Sequence, residues 1–308
     1  MRDDFLLNYH YPIINDMTQA FNYSRTGSLL MLILFGSLSS LQAQKLTRNE
    51  NGNTTARQFP GHKREYRSGS HVKLNSLFQY GVADAFIGGV FDGNYTWSQL
   101  KEQGDFGLGA PDQLDGELTI CDGKGYQTQS TGKTIQVTDS FKTSLAFVTF
   151  FKADTTFVIS GTRENTAAFK QIDNYLKKKN GMYAIRISGS FNQLKTRAFP
   201  PPKQPYAPLA TLLNTQQFFD IKNTKGVLVG YKLPTYINGV SIEGYHFHFL
   251  SDDRTQGGHM LNFSGNDLKV EVAELKDFHM SVPDDGSFMN FEFKKKQNID
   301  LEKVEKGH

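Results

Sequence analysis

YHFHFLSDDRTQGGHMLNF, residues 245–263, is the stretch from which the rest of the chain is read. Its first five residues, Tyr245, His246, Phe247, His248 and Phe249, form an aromatic, β-prone run. Side chains two apart on a strand share a face, so His246 and His248 project together. Ser251, Asp252, Asp253 and Arg254 then lead through Gln256 into the Gly257-Gly258 pair. That polar, glycine-bearing middle predicts a hairpin connection returning the chain antiparallel. His259 then stands opposite the first pair. Three imidazoles converging on one point are what a catalytic zinc-type site uses, with further positions left for water or substrate. The plainer reading of an H-x-H pair is two surface or packing histidines. Packing does not readily account for three of the chain's eight histidines falling in one hairpin.

Composition bounds what this hairpin serves. At 308 residues the chain can hold one large or two modest domains with a sizeable core. A hydrophobic content of 38%, with 25 Phe and 13 Tyr, fits a globular protein tilted toward sheet. The net charge of +3 is small for the length. Nucleic-acid binding needs a concentrated basic face, and only two short lysine runs are present. Residues 177–179 suit a helix C-terminus, and residues 294–296 read as solvated. No nucleic-acid partner is expected. The single cysteine, Cys121, excludes an intrachain disulfide framework and a Cys-rich metal site. Its alternating surroundings, residues 117–121, predict a buried strand thiol rather than a nucleophile. No P-loop, no G-x-G-x-x-G after a strand and no G-x-S-x-G elbow occurs.

Residues 1–43 read as a secretory signal peptide: Arg25 precedes the apolar segment 28–41, and Leu41-Gln42-Ala43 offers a processing site. Asp3, Asp4 and Asp16 make the extreme N-terminus a poor positive region, which points to Met17 as the true start. An uncleaved anchor is the rival reading. A working signal implies export to the periplasm or medium with no stable membrane association after cleavage; otherwise the protein is cytoplasmic. Residues 44–74 are a polar linker.

The folded region opens near Asn75. Thr96 with Gln99 three later predicts a capped helix stopping at Gly104, and residues 105–114 read as a loop. Residues 117–121 and 126–130 form strands joined at Asp122-Gly123. Residues 144–152 continue in β-like alternation, residues 162–178 carry the helical period, and strands 182–187 and 190–196 follow around Gly189. Phe199, Pro200, Pro201 and Pro202, with Pro205 and Pro208, form a rigid extended connector. It divides a part spanning 75–205 from one spanning 206–308. Strands are expected at 227–233, 239–249, 259–263 and 268–275, and a short helix capped by Asp300 at 300–305.

Four stretches in collinear order carry a family resemblance: FDGNYTWSQLKEQGDFGLG (91–109), LDGELTICDGKGYQ (114–127), YAIRISGSFNQLKTRAFPPPKQPYAPL (183–209) and GYHFHFLSDDRTQGGH (244–259). They resemble the alpha-acetolactate decarboxylase family. The resemblance implies a metal, usually Zn2+, held by His246, His248 and His259. Three imidazoles also suit other divalent transition metals. It further implies Glu117 in the LDGE motif, Arg197 in the KTR motif, and a last carboxylate at Glu305, with Glu302 one helical turn away as the alternative. Ala198, where the family often has serine, and the run Pro200-Pro201-Pro202 depart from the pattern without touching these residues.

The implied substrate is a small 2-hydroxy-3-keto acid, 2-acetolactate or a close homologue such as acetohydroxybutyrate. It is decarboxylated to acetoin and CO2 through a metal-stabilised enediolate with stereospecific protonation. Arg197 would hold the departing carboxylate and relay a proton, with Glu117 and Glu305 in acid/base roles. The fold class so implied is α/β, an N-terminal mixed β-sheet part with helices and a C-terminal antiparallel β-barrel-like part, assembled as a homodimer. Without the resemblance, Glu117 is a strand-opening carboxylate, Arg197 a solvated strand position beside Lys195, and Glu305 helix surface. Asp252, Asp253 and Arg254 read as turn residues or partners of the histidines. His62, His71 and His308 belong to linker or tail, and His279 carries no role. Two rival functions remain: a cupin-type metal oxygenase, with Asp252 and Asp253 where a glutamate ligand is usual, and a non-enzymatic exported metal- or ligand-binding β module.

Overall fold

Described over residues 73–293 by a computed structural model, the chain is mostly β, with few and short helices. The described residues fall in one of its two compact units, Ser68–His308. The signal peptide, nearly all of the linker and the tail helix expected at 300–305 lie outside them.

In chain order the elements begin with β1 (Ser76–Tyr80), α1 (Ala83–Ile87), β2 (Tyr95–Thr96), α2 (Trp97–Leu100), β3 (Phe106–Pro111), β4 (Glu117–Cys121), β5 (Lys124–Thr128), β6 (Thr134–Gln136) and β7 (Lys142–Thr149). They continue with β8 (Thr155–Ile159), α3 (Asn165–Asp173), β9 (Met182–Ala198), β10 (Gln217–Leu233), β11 (Gly244–Ser251), β12 (Gly257–Gly265), β13 (Leu268–Leu275), β14 (Asp277–Ser281) and α4 (Gly286–Met289). One sheet runs β14-β1-β7-β3-β4-β5-β6 with β2 on β7; the other runs β10-β11-β12-β9-β13-β8, with β9 and β10 also paired.

Several elements form for the local reasons expected. Asp122 and Gly123 both take positive φ, 52° and 71°, which lets a two-residue turn match the twist of β4 and β5. Thr96 and Gln99 close a reciprocal capping box at the start of α2. The helix expected at 162–178 is shorter because the sheet captures both ends. Thr162 bonds to Gly265, and the Tyr183 hydroxyl accepts the Lys178 N–H.

Three expectations are corrected. First, the fold is not α/β: among the described residues the longest α-helix is α3 with nine residues, and the sheets make the layers. Second, no boundary falls at residue 205. β9 and β10 flank the proline connector yet pair antiparallel from Ala198↔Gln217 to Tyr183↔Lys232, as one long hairpin. The C-terminal strands belong to a six-stranded sheet that draws β8 and β9 from the first half and in which β9 also pairs back with β10, while β14 returns to pair with β1. Third, residues 106–111 form strand β3, not a loop. A Cβ on Gly107 or Gly109 would collide with the carbonyl oxygens of Phe147 and Leu145 on β7. These glycines permit close strand approach rather than marking turns. Gly189 likewise pairs with Gly226 and does not break β9.

The core explains the layering. On β10, Val227, Val229, Tyr231 and Leu233 join the cluster shared with Leu108 and Phe147 of the first sheet, while Leu228 joins that of α3. From α3, Ala168 and Ile172 are buried, and the ring of Phe169 stacks on Tyr245 at 4.1 Å. Tyr231 is buried and lies between the sheets, its hydroxyl within reach of the Phe106 and Phe147 carbonyls at 3.1 and 3.2 Å. Cys121 is a buried strand thiol, its pKa pushed up to about 11 by burial. No helix among the described residues is long and apolar enough to cross a membrane.

Tyr231→Phe removes the hydroxyl without changing shape, and is expected to lower unfolding free energy by about 1 kcal/mol in denaturant titration.

Candidate active site

A single cross-strand row builds the site. His248 on β11 lies opposite His259 on β12, which lies opposite Arg197 on β9. His246, two residues before His248, shares its face. The three imidazole rings stand 5.0 to 5.4 Å apart between centroids, and one nitrogen from each falls within 4.8 Å of the others. All three are buried, so this triad can hold a metal ion.

The hairpin between them is tied by its own polar side chains. Ser251 Oγ donates to Asp253 Oδ1 (2.6 Å) and accepts the N–H groups of Thr255 (3.2 Å) and Gln256 (3.0 Å). Hydrogen bonds from Ser251 and Thr255 hold the exposed Asp253 carboxyl below the usual carboxylate range. Asp253 is therefore a turn residue, and Arg254 lies over the Tyr126 ring at 5.6 Å. Gly257 and Gly258, expected in the turn, belong to β12. A Cβ on Gly257 would strike the Thr128 hydroxyl of β5, and one on Gly258 (φ 117°) would lie 2.8 Å from the Arg197 carbonyl. The glycines let β12 approach both sheets closely enough to deliver His259.

From the first sheet, β4 brings Glu117 against this row. Arg197 Nη1 donates to Glu117 Oε1 at 2.9 Å, with the side chains 3% and 8% exposed. The solvated-strand alternative for Arg197 is thus excluded. His248 Nδ1 lies 2.8 Å from the Leu118 carbonyl, which can only accept, so this nitrogen carries the proton. Nε2 then offers a lone pair, 3.3 Å from Glu117 Oε2. Burial, then the neighbouring His246 imidazole and the Arg197 guanidinium, keep the His248 pKa well below the ordinary histidine value despite the Leu118 bond. Burial, then Arg197, pushes His246 down to about 3. Neutral imidazoles facing a carboxyl group are the donor set a divalent ion uses, so the residues fit such an ion.

A strained turn places Glu117. Gln113 and Leu114 are consecutive non-glycine residues with left-handed φ, 57° and 54°, at a cost of roughly 1–2 kcal/mol each. Gly116 follows at φ 90°, where a Cβ would strike the Thr128 carbonyl. The Phe91 carbonyl accepts the Gln113 N–H at 2.8 Å, and the Phe199 carbonyl accepts that of Gly116 at 2.9 Å. A pocket opens beside the polar groups. Its apolar wall includes Phe86, Leu114, Phe147, Phe199, Leu209 and Ile242. Sequence reasoning missed these residues because nothing distinguishes a pocket-lining apolar side chain from a core one. Glu305 and Glu302 lie outside the described residues, and His279 sits on edge strand β14, away from the row.

The profile of the family described as Alpha-acetolactate decarboxylase matches residues 77–295 of the chain that builds this site. The alpha-acetolactate decarboxylase of Methanosarcina mazei is 37% identical over 232 residues, covering 75% of this chain and 80% of that protein. That of Bacillus subtilis strain 168 is 32% identical over 217 residues, 70% of this chain and 85% of its own. The crystal structure of the Bacillus subtilis strain 168 enzyme superposes with a TM-score of 0.73 at 31% identity, covering 75% of this chain and 99% of that one. A Staphylococcus aureus protein of unknown function, described as similar to alpha-acetolactate decarboxylase, gives 0.71 at 28% identity over 76% of this chain and all (100%) of its own.

The depressed histidines make stability depend on pH. Above the unfolded-state value of about 6.5 both states carry neutral imidazole and nothing is lost. Below it the unfolded chain takes up protons that the folded chain refuses, so stability falls until His246 protonates in place near 3. Metal-free protein is expected to lose up to about 1.4 kcal/mol per pH unit per histidine across that window. Urea titrations from pH 7.5 to 4.5 check this, with His246→Gln expected to flatten the slope.

Proposed function

The chain belongs to the alpha-acetolactate decarboxylase family, and from that premise we propose that its site converts 2-acetolactate to acetoin and CO2 with the help of a divalent metal, Zn2+ foremost. One observation carries the reading: a buried guanidinium, a carboxyl group and three buried imidazoles line the polar end of one otherwise apolar pocket.

Each group has a task that its chemistry suits. Arg197 presents a planar guanidinium fork that can grip the substrate carboxylate with two parallel N–H bonds. Substrate entry then competes with Glu117 for the guanidinium. When the bond to the carboxylate breaks, its electron pair passes into the adjacent ketone. A divalent ion held by His246, His248 and His259 would supply Lewis-acid stabilisation of the negative charge on the substrate's oxygens. Once the substrate carboxylate has taken its guanidinium partner, Glu117 would take up a proton from water and deliver it to the carbon left behind. The fixed position of Glu117 on one side of the pocket accounts for stereospecific protonation. The apolar wall faces the substrate's methyl groups and keeps water from competing as a proton donor.

Glu305 enters the same reading as a further acid/base group, with Glu302 as its alternative. Support comes from the path of the chain. Phe291, near the last of the described residues, packs against Gly88 at the end of α1, whose Phe86 lines the pocket. Export directed by residues 1–43 and assembly as a homodimer complete the proposal; cell fractionation and sedimentation velocity test them.

Metal-replete protein is expected to release CO2 and acetoin from racemic 2-acetolactate. Arg197→Lys and Glu117→Gln should each lower kcat by about 10²- to 10⁴-fold. His248→Ala should lose both metal and activity. Release of neither product by metal-replete protein sinks the proposal, and oxygen uptake in its place would favour a cupin-type oxygenase.

A further inference from the structure

Gln127 lies on β5, outside the row of site residues, and is 7% exposed. Its Nε2 donates to the Asp115 carbonyl at 2.6 Å and to Asp115 Oδ2 at 3.0 Å. Both bonds end on the residue between the left-handed pair Gln113-Leu114 and Gly116. Asp115 itself has φ −78° and ψ 71°, outside helix and strand. The left-handed pair before it is a conformation that such residues do not favour, and it persists only where its surroundings hold it. Gln127 is placed to do this because β5 pairs with β4 in register, Gln127 opposite Leu118 and Thr128 opposite Glu117.

We propose that Gln127 is a positioning residue for decarboxylation, locking the turn so that Glu117 meets Arg197 and Leu114 closes the pocket wall. The inference rests on the proposed role of Glu117. Two groups of the site are carried by this one turn, at its middle and at its exit, so a shift at Asp115 moves both. The amide is suited to the task chemically. It is neutral, so its burial leaves no uncompensated charge, and it presents two N–H groups to two acceptors. A carboxylate at this position would face both acceptors with no proton to give. A thioether of similar length would fill the space and hold neither.

The test uses three variants of the full-length, metal-loaded protein: Gln127→Glu, Gln127→Met, and Gln127→Glu combined with Asp115→Asn. For Gln127→Glu, kcat on 2-acetolactate is expected to fall about ten- to a hundredfold, as for a small misplacement of a reacting group. KM should change less than kcat, and metal content should match wild type because the histidine row is untouched. Gln127→Met is expected to fall between the two and to show faster hydrogen exchange at the Gly116 amide. In the double variant the new amide at position 115 can donate to the new carboxylate at position 127. One of the lost bonds is then restored with its direction reversed, and much of kcat should return. A purely structural role would instead lower thermal stability and metal content together, leave kcat per loaded site unchanged, and show no such rescue; that result overturns the proposal. If Gln127→Glu fails to fold, the neutral Gln127→Met variant decides by the same readouts. An inactive wild type, or a fully active Glu117→Gln variant, would overturn the reading of Glu117 and this inference with it. With wild type active and Glu117→Gln impaired, a silent Gln127 refutes the positioning role alone.

Discussion

The Arg197–Glu117 ion pair, closed at 2.9 Å between two sheets, is the constraint on which the rest depends. Taking both charges out of water costs several kcal/mol per ion, and their attraction offsets this only with good geometry and further partners. A pair so placed is weak evidence for stability. Apolar residues of similar size would hold β4 against β9 as well or better. Removing one partner alone would leave a buried charge, at a cost of about 3–5 kcal/mol. What the pair does provide is a guanidinium and a carboxyl group held against each other at the pocket, where the proposed substrate's carboxylate would compete for the guanidinium.

The histidines belong to the same electrostatic arrangement. Arg197 lies in register with His259, and its positive charge adds to burial in keeping His246 and His248 unprotonated. The Leu118 carbonyl then decides which nitrogen of His248 carries the proton, because it can only accept. β4 thus orients a histidine with its backbone and faces it with the side chain of the preceding residue. Close approach of the strands makes this possible, and three features permit it: Gly257 beside Thr128, Gly258 beside the Arg197 carbonyl, and the two glycines of β3 against β7. None of these four positions can carry a side chain without moving a strand.

How much of this was legible in the sequence depended on whether the governing interaction was local. The H-x-H spacing and the polar return placed the three histidines together, because strand periodicity and turn chemistry act over a few residues. The Asp122-Gly123 turn and the Thr96–Gln99 box were readable for the same reason. Glu117 and Arg197 were reached through resemblance; their own neighbourhoods read as a strand start and a solvated face, and only the packing of two sheets buries them. The glycines of β3 misled because glycine marks turns and close strand approach alike, and the difference lies in the facing strand. The proline connector misled in a similar way. Proline cannot donate to a ladder, yet nothing prevents the strands on either side of it from pairing with each other, and β9 and β10 do so along their length.

The turn at residues 113–116 was hidden for a further reason. Gln113 and Leu114 are not residues that seek left-handed backbone, so no propensity signals it. Their conformation is imposed from outside by the carbonyls of Phe91 and Phe199 and by the Gln127 amide. In this conformation Leu114 lines the pocket and Glu117, at the exit of the turn, meets Arg197. Local preference and global arrangement conflict here, and the conflict ends three residues before the Glu117 carboxyl group. Strain retained so close to a buried, ion-paired carboxyl group is better understood as a condition of placing that group than as an accident of folding.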